Sequence, residues 1–252
     1  MDKFRIDGEV AVITGTGGGI GRSLSELFAR SGASVVVSDL DKIAADEVVN
    51  NIEVDGGQAL AVACDVTDDN ALENLVQKSL DRFGKISLLV NNAGGGGPKP
   101  FDMDIKTFRK VFDLNVFSIF RLCQLCAPYM EENGGGAILN ISSMAAENKN
   151  KDMSAYGASK AAVSHFTRNI AFDLGPKGIR VNGIAPGAIK TDALKKVLTP
   201  EIEDNMLKHT PIKRLGEAED IANGALFLCS PAANWISGQI LTISGGGTQE
   251  LG

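Results

Sequence analysis

The stretch Val10-Ala11-Val12-Ile13-Thr14-Gly15-Thr16-Gly17-Gly18-Gly19-Ile20-Gly21 decides the fold. Its first five residues form a β-branched apolar run with the signature of a buried strand. Glycines follow, and then Ile20, Leu24, Leu27 and Phe28 recur at helical spacing until Gly32. The reading is strand, turn, helix. Glycines in such a turn let the backbone approach a ligand closely, and the unpaired N–H groups and dipole of the helix start favour an anion such as a pyrophosphate. Asp39 ends the next apolar run 18 residues after Gly21, close to the ~20-residue offset at which a carboxylate meets an adenosine ribose. That carboxylate would repel a 2′-phosphate. No basic residue occupies Thr16 to Gly19 or Leu40 to compensate, although Arg22 and Lys42 stand nearby, so NAD is expected in preference to NADP.

Working outward, the alternation repeats. Val35 to Val37 reads as a strand, Ile43 to Val54 as a helix and Ala59 to Val66 as a third strand, with Thr67 as the cap of the next helix. Ala71, Leu72, Leu75, Val76, Leu80 and Phe83 give that helix its apolar stripe before Gly84. Ile86 to Val90 is predicted as strand, Ile105 to Met130 as a long helix with Pro128 near its end, Ala137 to Ile141 as strand and Ala155 to Leu174 as helix. Ile179 to Ile184 and Ile240 to Ile243 complete seven strands, with a helix near Ile221 to Leu228 between them. Strands apolar on both faces need helices on both sides of a parallel sheet, so the expected class is α/β: a single doubly wound Rossmann-type domain over residues 1–252. Pro186 to Pro211 breaks the rhythm, being far longer than the ~2 to 6 residues such connections need. A substrate lid over about 187–211 is the expectation.

Composition narrows the classes of partner. The chain has 252 residues, 44% hydrophobic and 22% charged, and a formal net charge of -6. That charge argues against nucleic acid or an anionic membrane surface as partner, since both reward clustered Lys and Arg. No unbroken run of ~18 apolar residues occurs and Met1 to Gly8 are charged, which points to a soluble chain in the cytoplasm. The 29 glycines exceed the roughly 18 that an average ~7% content gives, so the backbone turns tightly or approaches something repeatedly. Cys64, Cys123, Cys126 and Cys229 lie in apolar segments and read as reduced core thiols. Cys123 and Cys126 form a C-x-x-C, but only His165 and His209 are available as companions, so no metal is expected.

The candidate chemistry sits on three residues. Tyr156 and Lys160 are four apart near a helix start, on one face of it, and Ser143 follows the Ala137 to Ile141 strand. Moving a hydride from an alcohol carbon to nicotinamide also requires removal of the hydroxyl proton near neutral pH. A phenolate can take it. Lowering a phenol from pKa ~10 to near 7 needs roughly 4 kcal/mol of differential stabilisation, for which Lys160 and the oxidised nicotinamide ring are the expected sources. Ser143 would hold the reacting oxygen. Asp65, at the end of the third strand, and Asn91-Asn92-Ala93-Gly94, at the end of the fourth, fall on the same sheet edge and are expected to face the cofactor.

Taken in order, Gly15-x-x-x-Gly19-Ile20-Gly21, Asn91-Asn92-Ala93-Gly94, Asn115, Ser143, Tyr156-x-x-x-Lys160 and Pro186-Gly187 resemble the short-chain dehydrogenases/reductases across essentially the whole chain. The resemblance implies a catalytic set of Ser143, Tyr156, Lys160 and Asn115, with Asn115 positioning a water relay behind Lys160. For the cofactor it implies Gly15, Gly19, Ile20, Gly21, Asp39, Leu40, Asp65, Val66, Asn92, Tyr156, Lys160, Ile189 and Thr191. It also implies a homotetramer built on the two long helices. The stretches 91–103, 143–150 and 199–216 further resemble the bacterial 7α-hydroxysteroid dehydrogenases of bile-acid metabolism, and that likeness places Gly96 and Asn148 in the substrate site with Ser143 and Tyr156. A steroid needs a broad apolar cleft, for which Ala193, Leu194, Val197, Leu198, Met206 and Leu207 offer a face. Lys190, Lys195 and Lys196 could meet a bile-acid carboxylate, Lys151 adds to the basic surroundings, and His209 stands near. Reduction of 3-oxoacyl chains on a carrier protein, another small-alcohol or sugar dehydrogenase, and a non-catalytic dinucleotide sensor are the alternatives.

Overall fold

The computed structural model describes residues 3–149, 151–196, 198–208 and 210–247. Strands β1 (Val10–Thr14), β2 (Ser34–Asp39), β3 (Gln58–Ala63), β4 (Leu88–Asn91), β5 (Gly136–Ile141), β6 (Ile179–Pro186) and β7 (Ile240–Ile243) alternate with helices α1 (Gly19–Arg30), α2 (Lys42–Val54), α3 (Asp69–Phe83), α4 (Ile105–Phe112), α5 (Ser118–Glu132), α6 (Ser154–Leu174), α7 (Asp192–Lys195), α8 (Pro200–Leu207) and α9 (Ala218–Cys229). The strands make one parallel sheet in the order β3-β2-β1-β4-β5-β6-β7. The chain leaves β1 toward one edge and returns at β4 toward the other. The connections beyond these two strands therefore diverge and leave a crevice at their carboxyl ends.

Period-two alternation sends each strand into two cores. On β1, Ala11 and Ile13 join Leu24 and Phe28 of α1, Val48 and Ile52 of α2 and Ile221 and Ala225 of α9. Val12 points the other way, to Leu72 and Leu75 of α3, Leu122 and Met130 of α5 and Val163 of α6. The C-x-x-C belongs to this second core: Cys123 and Cys126 are buried, and desolvation pushes the Cys123 thiol up to about 12.

Several boundaries differ from the sequence reading. β3 stops at Ala63, so Asp65 and Val66 lie beyond it in a turn, where Asp65 Oδ1 accepts from the N–H (2.9 Å) and hydroxyl (2.7 Å) of Thr67. Those two donors hold the Asp65 carboxyl below its ordinary range. Thr67 is not the cap of α3. Asp68 is, its carboxylate accepting from Asn70 N–H, because Thr67 is already spent on Asp65. The long helix predicted from Ile105 continues to Glu132 but is divided by a π-turn, Asp113–Phe117. By length and composition Ile105–Glu132 is apolar enough to cross a membrane, yet its Ile119, Leu122, Cys126 and Met130 are packed on the sheet. The long segment after β6 contains α7 and α8, helices the sequence reading did not mark. Val197 and His209 lie outside the described residues, as does the side chain of Ala193.

Candidate active site

The first turn opens the site. Gly18 is the N-cap of α1 and has no side chain to satisfy the helix's first N–H groups, which are left for a ligand. Gly15, at φ +68°, passes so close to the next strand's loop that an added Cβ would lie 2.8 Å from Ala93 Cα. A Cβ on Gly21 would stand 2.0 Å from the Gly15 carbonyl oxygen, so only glycine lets α1 start against the turn. Asn92 locks this loop to its neighbour, donating through Nδ2 to the carbonyls of Thr14 (2.9 Å) and Gly15 (2.8 Å). The Thr14 hydroxyl in turn accepts the N–H groups of Asn92 (3.2 Å) and Ala93 (3.1 Å). Thr14 escaped the sequence reading because a threonine closing a strand has no distinguishing spacing.

Asp39 stands at the end of β2, as its spacing predicted. Its Oδ2 accepts the Gly17 N–H at 2.7 Å and its Oδ1 that of Asp41 at 3.0 Å, which fixes the carboxylate while each oxygen keeps a further lone pair. Leu40 is exposed beside it. Thr191, from the segment after β6, reaches back to the loop and would lie 3.2 Å from a Cβ on Gly19, and the buried Ile189 bridges to Gly216. A bare helix start, a glycine cradle with no room for Cβ atoms and a carboxylate at the adjacent strand end suit a dinucleotide: pyrophosphate at α1, ribose hydroxyls at Asp39. Of the predicted cofactor residues, Asp65 and Val66 sit past β3 on this same edge.

The reacting end is built from β5, α6 and the π-turn. Ser143 follows β5, with its hydroxyl beside the Tyr156 phenol and accepting the Ala145 N–H at 3.1 Å. Gly96 completes the contact: a Cβ on it would be 3.5 Å from Tyr156 Cδ2 and 3.1 Å from Val111. Lys160 is 3% exposed, with Nζ 5.8 Å from the Tyr156 ring centroid, and donates to the Ile141 carbonyl at 2.8 Å. The π-turn aims buried Asn115 inward. Its Oδ1 accepts from Gly95 N–H (2.9 Å), and its Nδ2 donates to the Gly95 carbonyl (2.7 Å) and the Ser159 hydroxyl (2.9 Å). Ser159 donates to the Tyr156 carbonyl at 2.7 Å, and Ser142 donates to the Lys160 carbonyl at 2.9 Å. Neither serine was singled out by sequence; Ser159, directly before Lys160, was the one with a positional clue. Asn148 lies at the other side of this loop, its N–H on the Met144 carbonyl.

The phenol of Tyr156 is raised above its ordinary range by burial, with the neighbouring Ser143 hydroxyl acting against that rise. Burial also lowers Lys160, to about 8, while its ammonium donates to the Ile141 carbonyl.

A groove of 1380 Å³ lies at the amino-terminal edge of the sheet, between Arg5, Gly134, Arg180 and Trp235, and holds none of the predicted site residues. Helix starts and strand carboxyl ends converge on the opposite edge, where the site is.

The family described as enoyl-(acyl carrier protein) reductase matches residues 15–248. The 7α-hydroxysteroid dehydrogenase of Escherichia coli (strain K12) is 63% identical over 250 residues, 99% of this chain and 98% of that protein. The 3-oxoacyl-[acyl-carrier-protein] reductase FabG of Thermotoga maritima is 34% identical, over 96% of this chain and 99% of that one. A solved structure of 7α-hydroxysteroid dehydrogenase complexed with NADH and 7-oxo glycochenodeoxycholic acid superposes with a TM-score of 0.97 at 63% identity, covering 100% of this chain and 98% of that chain. Sheet order, glycine loop, Ser143–Tyr156–Lys160 cluster and these likenesses agree: the chain belongs to the short-chain dehydrogenase/reductase family.

Proposed function

We propose that this protein is an NAD-dependent 7α-hydroxysteroid dehydrogenase that reversibly oxidises the 7α-hydroxyl of bile acids to the 7-oxo group. The observation that carries the reading is the Ser143–Tyr156 hydroxyl pair, with Lys160 beneath the ring, at the mouth of the crevice beside the glycine loop. Its substrate follows from 63% identity to the Escherichia coli enzyme. Gly15, Gly19, Ile20 and Gly21 would hold the pyrophosphate, Asp39 and Leu40 the adenosine ribose, Asp65 and Val66 the adenine side, and Asn92, Lys160, Ile189 and Thr191 the nicotinamide half. Bound in the oxidised form, NAD supplies the hydride acceptor and a positively charged ring.

The chain's own residues do the proton chemistry. Ser143 donates a hydrogen bond to the alcohol oxygen and orients the carbon–hydrogen bond. The Tyr156 phenolate takes the hydroxyl proton as that carbon loses its hydride, so the alcohol leaves as a ketone two electrons and two protons poorer: both electrons and one proton go with the hydride to NAD, and the other proton goes to the phenolate. Lys160 keeps a cation under the phenol, and Asn115, fixed on Gly95 and Ser159, keeps α6 in register with the loop behind it. Gly96 leaves the approach to Tyr156 open, Asn148 borders it, and the lid at 187–211 covers the substrate. The reading also includes a homotetramer in the cytoplasm, supported by the exposed aromatics of α5 and α6.

The test is the absorbance of reduced nicotinamide with cholic acid and its 7β epimer, each with NAD and with NADP. Turnover of the 7α epimer with NAD is expected. Turnover of 3-oxoacyl thioesters instead would favour the carrier-protein reductase reading, and binding of NAD without any turnover would favour a sensor.

A further inference from the structure

Beside Gly17 two opposite charges flank one residue. Asp39 takes its N–H at 2.7 Å. Arg22, from the first turn of α1, lies on the other side with Nη2 3.4 Å from the Gly17 carbonyl. The same Nη2 is 3.3 Å from Glu47 Oε2, one turn into α2. Arg22 Nε is buried and has no hydrogen-bond partner among the described residues. Lys42, the other basic residue nearby, is paired with Asp46 on its own helix.

An arginine beside the adenosine ribose is the group that accommodates a 2′-phosphate, because its planar fork matches phosphate oxygens. This chain thus carries the cation that NADP would need, a peptide unit away from the carboxylate that forbids it. The cation is occupied. The Arg22–Glu47 pair has side chains 37% and 64% exposed, so it contributes little to stability. Its larger consequence is where it places charge: Glu47 draws the guanidinium toward α2 and sets a second negative charge near the ribose.

Resting on the reading that the crevice binds NAD, we propose that Glu47 is a second determinant of cofactor preference, masking a latent 2′-phosphate site at Arg22. Asp39 repels the phosphate directly, and Glu47 withholds the cation that would offset that repulsion. Either carboxylate alone leaves the preference for NAD in place.

The experiment is calorimetric titration at fixed ionic strength with 2′,5′-ADP, with 5′-ADP as the ligand lacking the 2′-phosphate, and with NAD. Asp39→Asn keeps an oxygen for the Gly17 N–H while removing the charge. Adding Glu47→Gln to it is expected to tighten 2′,5′-ADP by roughly five- to tenfold, with 5′-ADP changed less than about twofold. In an Asp39→Asn/Arg22→Gln background the Glu47→Gln gain should vanish. Cooperative thermal unfolding reports an intact fold in each variant. No gain from Glu47→Gln, or the same gain without Arg22, would overturn the masking role while wild-type NAD binding leaves the cofactor reading standing. Failure of the unsubstituted protein to bind NAD would overturn both.

Discussion

Lys160 is a cation held in the interior without a counter-charge, and its titration is the most direct handle on the site. Burial lowers it to about 8 from an ordinary 10.5. Between those values the unfolded chain binds a proton that the folded chain has released, so stability rises with pH across that window. The gain, up to about 3 kcal/mol from a shift of that size, should be absent in Lys160→Met. Chemical denaturation of both proteins from pH 7 to 10.5 checks this: the wild type should gain on the variant above pH 8, and parallel curves would contradict the buried cation. The clustering of Ser143, Tyr156 and Lys160 was legible in the sequence because one helical turn brings Tyr156 and Lys160 together and a strand end brings Ser143. What was not legible is the direction in which Lys160 points, since a contact with the Ile141 carbonyl depends on how deeply α6 packs against β5.

Among the elements, the turn between β1 and α1 has the least tolerance. With a Cβ on Gly21 lying 2.0 Å from the Gly15 carbonyl, Gly21→Ala must displace either the turn or the start of α1. A loss of about 1–3 kcal/mol in stability is expected, with NAD affinity falling at least tenfold, as read by thermal unfolding and titration. The glycine spacing announced this turn. By contrast the π-turn at Asp113–Phe117 was invisible, because an extra residue in a helical turn leaves the apolar period nearly unchanged while rotating Asn115 into the interior. The segment after β6 was legible as an excursion but not as α7 and α8, whose short lengths give too few periods to recognise. Its lysines belong to the same scale: Lys190→Gln with Lys196→Gln should raise KM for bile-acid carboxylates a few-fold more than for uncharged steroids. Equal effects on both substrates would remove the lid lysines from recognition.

For the whole molecule, the seven-stranded parallel sheet followed from strands that are apolar on both faces, and its order then fixes where a ligand sits. Sequence periodicity cannot say which apolar side chains remain uncovered by the chain itself. Phe117 (58% exposed), Phe120 (45%) and Phe172 (84%) lie on α5, its π-turn and α6, with Phe120 edge-on to Phe166. Burial of such a face against a second copy is the proposed role of these aromatics. Phe172→Glu with Phe120→Glu should therefore shift the protein to a smaller species in sedimentation, whereas an unchanged mass would remove this face from assembly.

The central claim is that the Tyr156 phenol receives the substrate proton next to bound NAD. Tyr156→Phe removes one oxygen atom and leaves the ring, the glycine loop and Asp39 in place. Measured side by side, NAD affinity should stay within about threefold of wild type while oxidation of cholic acid falls by at least ~10³-fold, from loss of the base. A variant that binds NAD and still oxidises cholic acid at a comparable rate would contradict the account.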